Sequence, residues 1–265
     1  GAYLAQVIMF FLAVILMRGT KIFHKGAAGI GAFIIFYGII ATYSRGSLLG
    51  VIGGLLAMLF VQGLKVRNLF LALVVGVACF MLIHQSTVTR FTKTVDEKGE
   101  LDKSTSGRLE YYEAALAIAK DYPMGVGTGQ VRIAMKRYLP IIRDKEEEGI
   151  SVDPHNGFLY SLCENGFIGL VVFLWLLWKL FLASREVYLR ESMPLEYRVY
   201  ALGMTGFLGS LVVCNMVYAN FFKVIVIGTI VLHFGMLAYV KAKMDSELSS
   251  ESIDNLIRDT AVSGS

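Results

Sequence analysis

The sequence predicts an all-α membrane protein, a polytopic bundle of about seven transmembrane helices with one large polar loop that carries short helices. Three observations predict it. Of the 265 residues, 55% are hydrophobic and the mean hydropathy is +0.60, well beyond a soluble domain. The apolar residues are bunched into runs long enough to cross about 30 Å of hydrocarbon. Short basic connectors join those runs, while the one long polar stretch, Gln85 to Asn156, is rich in charge, Gly and Pro.

Taken in order, the first run, Ala2 to Met17, hands over to Arg18, Lys21, His24 and Lys25, a basic connector that belongs on the cytoplasmic side. The first span therefore runs inward. From Gly26 to Gly63 the chain is apolar for about twice the ~20 residues that one crossing needs, so two spans are expected. They are Ala27 to Thr42 and Ser47 to Gln62, meeting at Arg45 on the outer side. Lys65 and Arg67 mark the return to the cytoplasm, and Asn68 to Ile83 leads out to the polar loop. Gly157 to Leu180 then runs in toward Lys179, Arg185 and Arg190. Val199 to Val217 runs out, a turn at Tyr218 to Phe222 reverses it, and Lys223 to Val240 ends at Lys241 and Lys243. The chain thus divides into four spans over 1–84, an extracytoplasmic loop over 85–156, three spans over 157–243 and a Ser-rich, disordered cytoplasmic tail over 244–265. Because the first apolar run is already under way at Tyr3, with no initiating Met, further spans are expected to precede it.

Within the loop, Gln85 to Thr105 is charged and poor in large apolar residues, as a mobile segment would be. Ser106 reads as an N-cap, followed by Leu109, Tyr112, Ala115, Leu116 and Ala119 at helical spacing until Asp121-Tyr122-Pro123. A second short helix is expected over Val131 to Tyr138. Between them, Gly125, Gly127 and Gly129 lack the lysine and strand of a phosphate-binding loop, so they read as a tight turn that lets backbone approach a neighbour.

The net charge of +4 resides in connectors, which is an orientation signal and gives no support to nucleic-acid binding. Cys79, Cys163 and Cys214 each lie inside an apolar run and read as packing residues. No pair of carboxylates or His-Glu-x-x-His pattern offers metal ligands, and no cofactor is expected.

Several residues can carry chemistry. Arg45 is costly near hydrocarbon unless paired or facing water, and its small neighbours Ser44, Gly46 and Ser47 leave room for an anionic lipid headgroup. Arg108 sits in the expected first turn of the loop helix, where a phosphate would meet both exposed N–H groups and the guanidinium. Arg132, Lys136, Arg137 and Arg143 form a second basic cluster, read as a solvated or headgroup-facing surface. His155, its approach stiffened by Pro154 at the outer end of a span, can accept a proton from a sugar hydroxyl near neutral pH. Asn156 can cap the helix that follows, and Glu164 and Asn165, about two turns below His155, should face protein or water. His24, His84 and His233 have weaker cases, lying in a connector, at a span's end and inside a span.

Together, Thr42-Tyr43-Ser44-Arg45-Gly46, Ser106-Gly107-Arg108, Tyr122-Pro123-Met124-Gly125-Val126-Gly127 and His155-Asn156-Gly157-Phe158-Leu159 through Glu164-Asn165-Gly166-Phe167-Ile168-Gly169 resemble the O-antigen ligase and polymerase superfamily. These are polytopic glycosyltransferases of the bacterial inner membrane, and the likeness covers about Ala27 to Trp178. The resemblance implies an active site on a periplasmic loop, a glycan donor on undecaprenyl diphosphate, and a lipid A-core or glycan acceptor. It also implies that Arg45 and Arg108 bind the diphosphate and stabilise it as leaving group while His155 activates the acceptor hydroxyl. Arg132, Arg137, Asn156 and Glu164 are the further candidates for substrate contact. Ligase, polymerase and protein-glycosylating enzyme share these motifs, and a non-catalytic lipid-glycan transporter is the alternative of a different class.

Overall fold

The computed structural model describes residues 1–63, 103–139, 153–218, 228, 231–246 and 249. Among them the regular structure is helical: α1 (Ala2–Leu16), α2 (Ile22–Ala41), α3 (Arg45–Gln62), α4 (Lys103–Asp121), α5 (Val131–Tyr138), α6 (Gly157–Leu189), α7 (Leu195–Val217) and α8 (231–246). By length and composition α2, α3, α6 and α7 can cross a membrane; α1 is apolar but only 15 residues long. The expected span from Asn68 to Ile83 lies outside the described residues, as do Cys79, His84, Arg143 and the start of the span from Lys223; the disordered tail expected over 244–265 is corrected at its start, where α8 continues to 246, and apart from 249 the rest of it lies outside the described residues.

Glycine places α7 at the centre. Side chains from Ala201 to Leu208 are buried, and so are Ser210, Leu211, Cys214 and Asn215. A side chain that large apolar residues surrounded would hold the helices apart, but α3 presents Gly46, Gly50 and Gly54 one turn apart on a single face. Against them lie Val217 and Tyr218, then Ser210 and Cys214, then the Gly206 carbonyl. A Cβ on Gly54 would stand 2.7 Å from that carbonyl oxygen, a backbone atom with nowhere to go. Gly54→Val should therefore destabilise the protein by ~1–3 kcal/mol. Thermal unfolding in detergent checks this, with Gly26→Val as the control, because nothing lies within 4 Å of that Cβ position.

The contacts also give the direction of each helix. Leu4 meets Gly38 and Phe11 meets Gly31, so α1 and α2 are antiparallel; Gly46 meets Tyr218 and Gly54 meets Gly206, so α3 and α7 are too. Gly157 faces Asn215, which starts α6 beside the end of α7. One end of the bundle thus carries the starts of α3 and α6. The other carries the basic connectors: Gly19 packs on Leu195, Arg198 Nε donates to the Tyr188 carbonyl at 3.0 Å, and Lys243 Nζ meets Tyr197 Oη at 3.2 Å.

The boundaries differ from expectation in one consistent way. α2 begins at Ile22, taking His24 and Lys25 onto the helix, α3 begins at Arg45, and α6 runs past Lys179 and Arg185 to Leu189. Hydropathy marks where hydrocarbon ends, whereas backbone hydrogen bonding continues through charged residues that extend into water.

The loop helices build a second, smaller core. Ala114, Ala115 and Ile118 of α4 pack with Val131, Ala134 and Met135 of α5 and with Cys163 of α6, flanked by Tyr111, Leu159 and Tyr160. α5 has the expected bounds. α4 departs from expectation twice. It starts at Lys103, so Ser106 is inside the helix and does not cap it; in the run Ser104-Thr105-Ser106 no single hydroxyl marks the start. Its buried face is also rotated, since Leu109 and Leu116 are exposed while alanines make the close contact. Large side chains dominated the periodicity, but close helix approach selects small ones.

Candidate functional site

The end of α7 ties the site together. Ser44 caps α3, its Oγ accepting the Ser47 N–H at 3.2 Å, and the Ser44 and Ser47 hydroxyls lie 2.6 Å apart. Tyr218, the residue after α7, brings its phenol oxygen to 3.0 Å from Ser44 Oγ and lays its ring on Gly46. Two residues earlier, the Met216 carbonyl accepts from Asn156 Nδ2 at 3.3 Å and from the Tyr112 hydroxyl at 3.4 Å. Within Met216–Tyr218, then, α7 holds the start of α3, the start of α6 and the middle of α4.

This junction places the predicted residues. Arg45 is the first residue of α3 and half-buried, at the same end of the bundle as His155. Arg108 lies on α4 one turn before Tyr112, toward the same end, but it falls in the second turn of that helix. The expected use of first-turn N–H groups around it does not apply, because by the second turn those groups are bonded within the helix.

His155 is set by its own turn. Its backbone lies in the left-handed region, φ 45°, which Asn, Asp and His tolerate better than most residues. The Asp153 carboxylate stabilises that turn by accepting the His155 N–H at 2.9 Å, and the same oxygen lies 3.3 Å from His155 Nδ1. The Tyr111 ring meets the imidazole edge-on, centroids 5.5 Å apart. Partial burial, and then the nearby negative charge of Asp153, push the Tyr111 hydroxyl above its usual range, so it stays protonated. The imidazole keeps 39% of its surface accessible. Asn156 uses both ends of its amide on protein: Oδ1 caps α6 through the Phe158 and Leu159 N–H groups at 2.9 and 3.1 Å, and Nδ2 reaches Met216.

Glu164 belongs to the three-glycine turn. α6 breaks at Gly166 (φ 69°, ψ −172°), which frees helical hydrogen-bonding groups on both sides. The turn takes them up: Val126 N–H donates to the Cys163 carbonyl at 2.8 Å, Gly127 N–H to the Glu164 carbonyl at 3.1 Å, and Phe167 N–H to the Pro123 carbonyl at 3.1 Å. The buried Glu164 carboxylate accepts the Gly129 N–H at 2.6 Å. The alternate glycines thus do what a tight turn was expected to do, letting backbone dock on backbone; all three have positive φ.

Arg132 and Arg137 are exposed on α5, and among the described residues neither forms an ion pair. Arg137 lines a cleft of ≈ 200 Å³ with Tyr122, Gly125, Gln130 and Tyr138. There a hydrogen bond to Asp121 raises the Tyr138 hydroxyl to about 12. Cys163 and Cys214 are buried and pack, their thiols turned to the carbonyls of Ala115 and Gly46. His233 is enclosed by Phe10, Tyr200 and Phe207.

Sequence reasoning missed Asp153, Tyr111 and Tyr218. Asp153 had a readable signal, an Asp two residues before the histidine across a proline, the spacing of a side chain that bonds backbone two residues on. Tyr111 and Tyr218 had none, since their partners are distant in sequence.

Residues 30–174, more than half of the chain, match the O-antigen ligase family. No curated protein matches. The matched stretch takes in Arg45, Arg108, the three-glycine turn, His155 and the break in α6, and on that match the chain belongs to the O-antigen ligase family.

Proposed function

We propose that this protein is an O-antigen ligase of the inner membrane, transferring a glycan from undecaprenyl diphosphate to a hydroxyl of lipid A-core on the periplasmic side. One observation carries the reading. The guanidinium at the start of α3 and the imidazole before α6 stand at one end of the bundle, opposite the basic connectors. Basic connectors favour the cytoplasm, which supports a reading with Arg45 and His155 on the far side of the membrane.

The chemistry closes without a metal. His155 takes the proton of the acceptor hydroxyl as that oxygen attacks the anomeric carbon. The bond from that carbon to the diphosphate oxygen breaks, and its electron pair leaves with the diphosphate. Arg45 offsets the charge that collects there, and Arg108, by the family resemblance, is the second candidate for that role. Attack from the face opposite the leaving group inverts the anomeric centre. Arg132 and Arg137 would meet headgroups or glycan along the exposed face of α5, whereas Asn156 and Glu164 support the site through the helix start and the turn they hold.

A strain lacking this protein, complemented with variants and analysed for surface glycan, tests the reading. Loss of a ligase strands long glycan on its carrier; loss of a polymerase instead leaves single repeat units on lipid A, and that result would replace the ligase reading by the polymerase one. Arg45→Ala is expected to lower transfer by ~10²–10³-fold, with partial recovery in Arg45→Lys. Near-normal transfer by Arg45→Ala would remove the guanidinium from the mechanism.

A further inference from the structure

The turn that presents His155 does more than hold the backbone. One oxygen of Asp153 lies on both the His155 N–H, at 2.9 Å, and Nδ1, at 3.3 Å. Pro154 fixes the residue between them. The Tyr111 ring stands perpendicular to the imidazole, at an interplanar angle of 85°, and limits its rotation. A carboxylate on Nδ1 favours the tautomer with the proton on that nitrogen, which leaves the lone pair on Nε2. Asp153 is itself mostly covered, with 20% of its side chain accessible, so its charge is only partly screened.

We propose that Asp153 is a positioning residue for the glycosyl transfer, holding His155 in the Nδ1–H tautomer so that Nε2 faces the acceptor hydroxyl and stabilising the imidazolium formed when that hydroxyl gives up its proton. The inference rests on His155 being the base. During the step the proton moves from acceptor oxygen to Nε2, and Asp153 remains ionised throughout. Its partner in the triad logic of hydrolytic enzymes does the same, by hydrogen bonding to the far nitrogen of the base. Tyr111, still protonated, walls the ring and carries no proton in the reaction.

Asp153→Asn separates this role from a purely structural one. The asparagine oxygen can still accept the His155 N–H and keep the turn, but it lacks the charge and can as readily offer an N–H to Nδ1, which favours the wrong tautomer. In a purified, detergent-solubilised assay with lipid-linked glycan donor, kcat should fall by ~10–10²-fold with donor binding unchanged. Asp153→Glu should recover part of the loss. Imidazole nitrogen NMR shifts of His155 should move toward the Nε2–H form in Asp153→Asn. Asp153→Asn with wild-type kcat and an unchanged nitrogen spectrum, while His155→Asn is inactive, would overturn the positioning role and leave the base intact. Full activity of His155→Asn would instead remove the base itself.

Discussion

His155→Ala is expected to reduce glycan transfer by ~10²–10⁴-fold, the contribution of a positioned general base, while lipid-linked donor still binds. The reason is a division of labour between the two ends of the reacting bond. In the proposed mechanism the donor is held by the guanidinium at the start of α3, which the substitution does not touch. The imidazole is partly exposed and packs edge-on against Tyr111, so removing it opens little of the core. The left-handed backbone at this position tolerates alanine less well than asparagine, and His155→Asn is the cleaner variant because it keeps the turn and removes the base. Both should be equally inactive in a transfer assay on purified protein, with donor retention measured in parallel. Retained transfer by both would leave the family resemblance without a catalytic histidine; a transporter would instead show no transfer in the unaltered protein and would tolerate both substitutions.

The second large effect is expected at a residue that has no side chain and acts through its backbone. Gly166→Ala should detach the three-glycine turn from α6 and abolish transfer. Gly166 holds φ 69° and ψ −172°, a region closed to residues with a Cβ, at a cost of ~1–3 kcal/mol. A Cβ there would also stand 2.5 Å from the Met124 carbonyl carbon and 2.7 Å from its Cα, both backbone atoms. Either α6 straightens and reclaims the carbonyls of Cys163 and Glu164, or the turn moves away; in both cases Gly129 loses the buried Glu164 carboxylate. Limited proteolysis between Tyr122 and Gly129 should accelerate by at least about tenfold, since ~1.4 kcal/mol of lost docking is one decade in an opening equilibrium. The main thermal transition should shift far less, because the core of α1, α3 and α7 lies elsewhere. Unchanged proteolysis together with normal transfer would show that the break in α6 is dispensable.

How much of this was legible in the sequence depended on the range of the interaction. Helices α5 and α7 could be read from apolar periodicity and local stop signals, and Asn156 as a cap needed only its neighbours. Arg45 could be singled out because a charge between two apolar runs is costly wherever it sits. The glycines at 125, 127 and 129 could be read as allowing close backbone approach, but their partner, a broken helix some forty residues on, could not be foreseen from spacing. The buried face of α4 was misread because Leu109 and Leu116 outweigh alanine on any hydropathy scale, whereas the contact with α5 and α6 selects for smallness. The end of α7 at Val217 was readable, but its role at the junction was not: Met216 acts through its carbonyl, and a carbonyl has no sequence signature.

That terminus sets a limit on how the enzyme can be retuned. On the proposed mechanism, the base His155 borders the small core of α4, α5 and the beginning of α6, whereas Arg45, the proposed phosphate-facing cation, belongs to the larger bundle, and the segment Met216–Tyr218 is a hinge pin common to both. Exchanging side chains along this pin would alter the span between nucleophile and leaving group without altering either one, and so offers a route by which related enzymes could fit acceptors of different bulk.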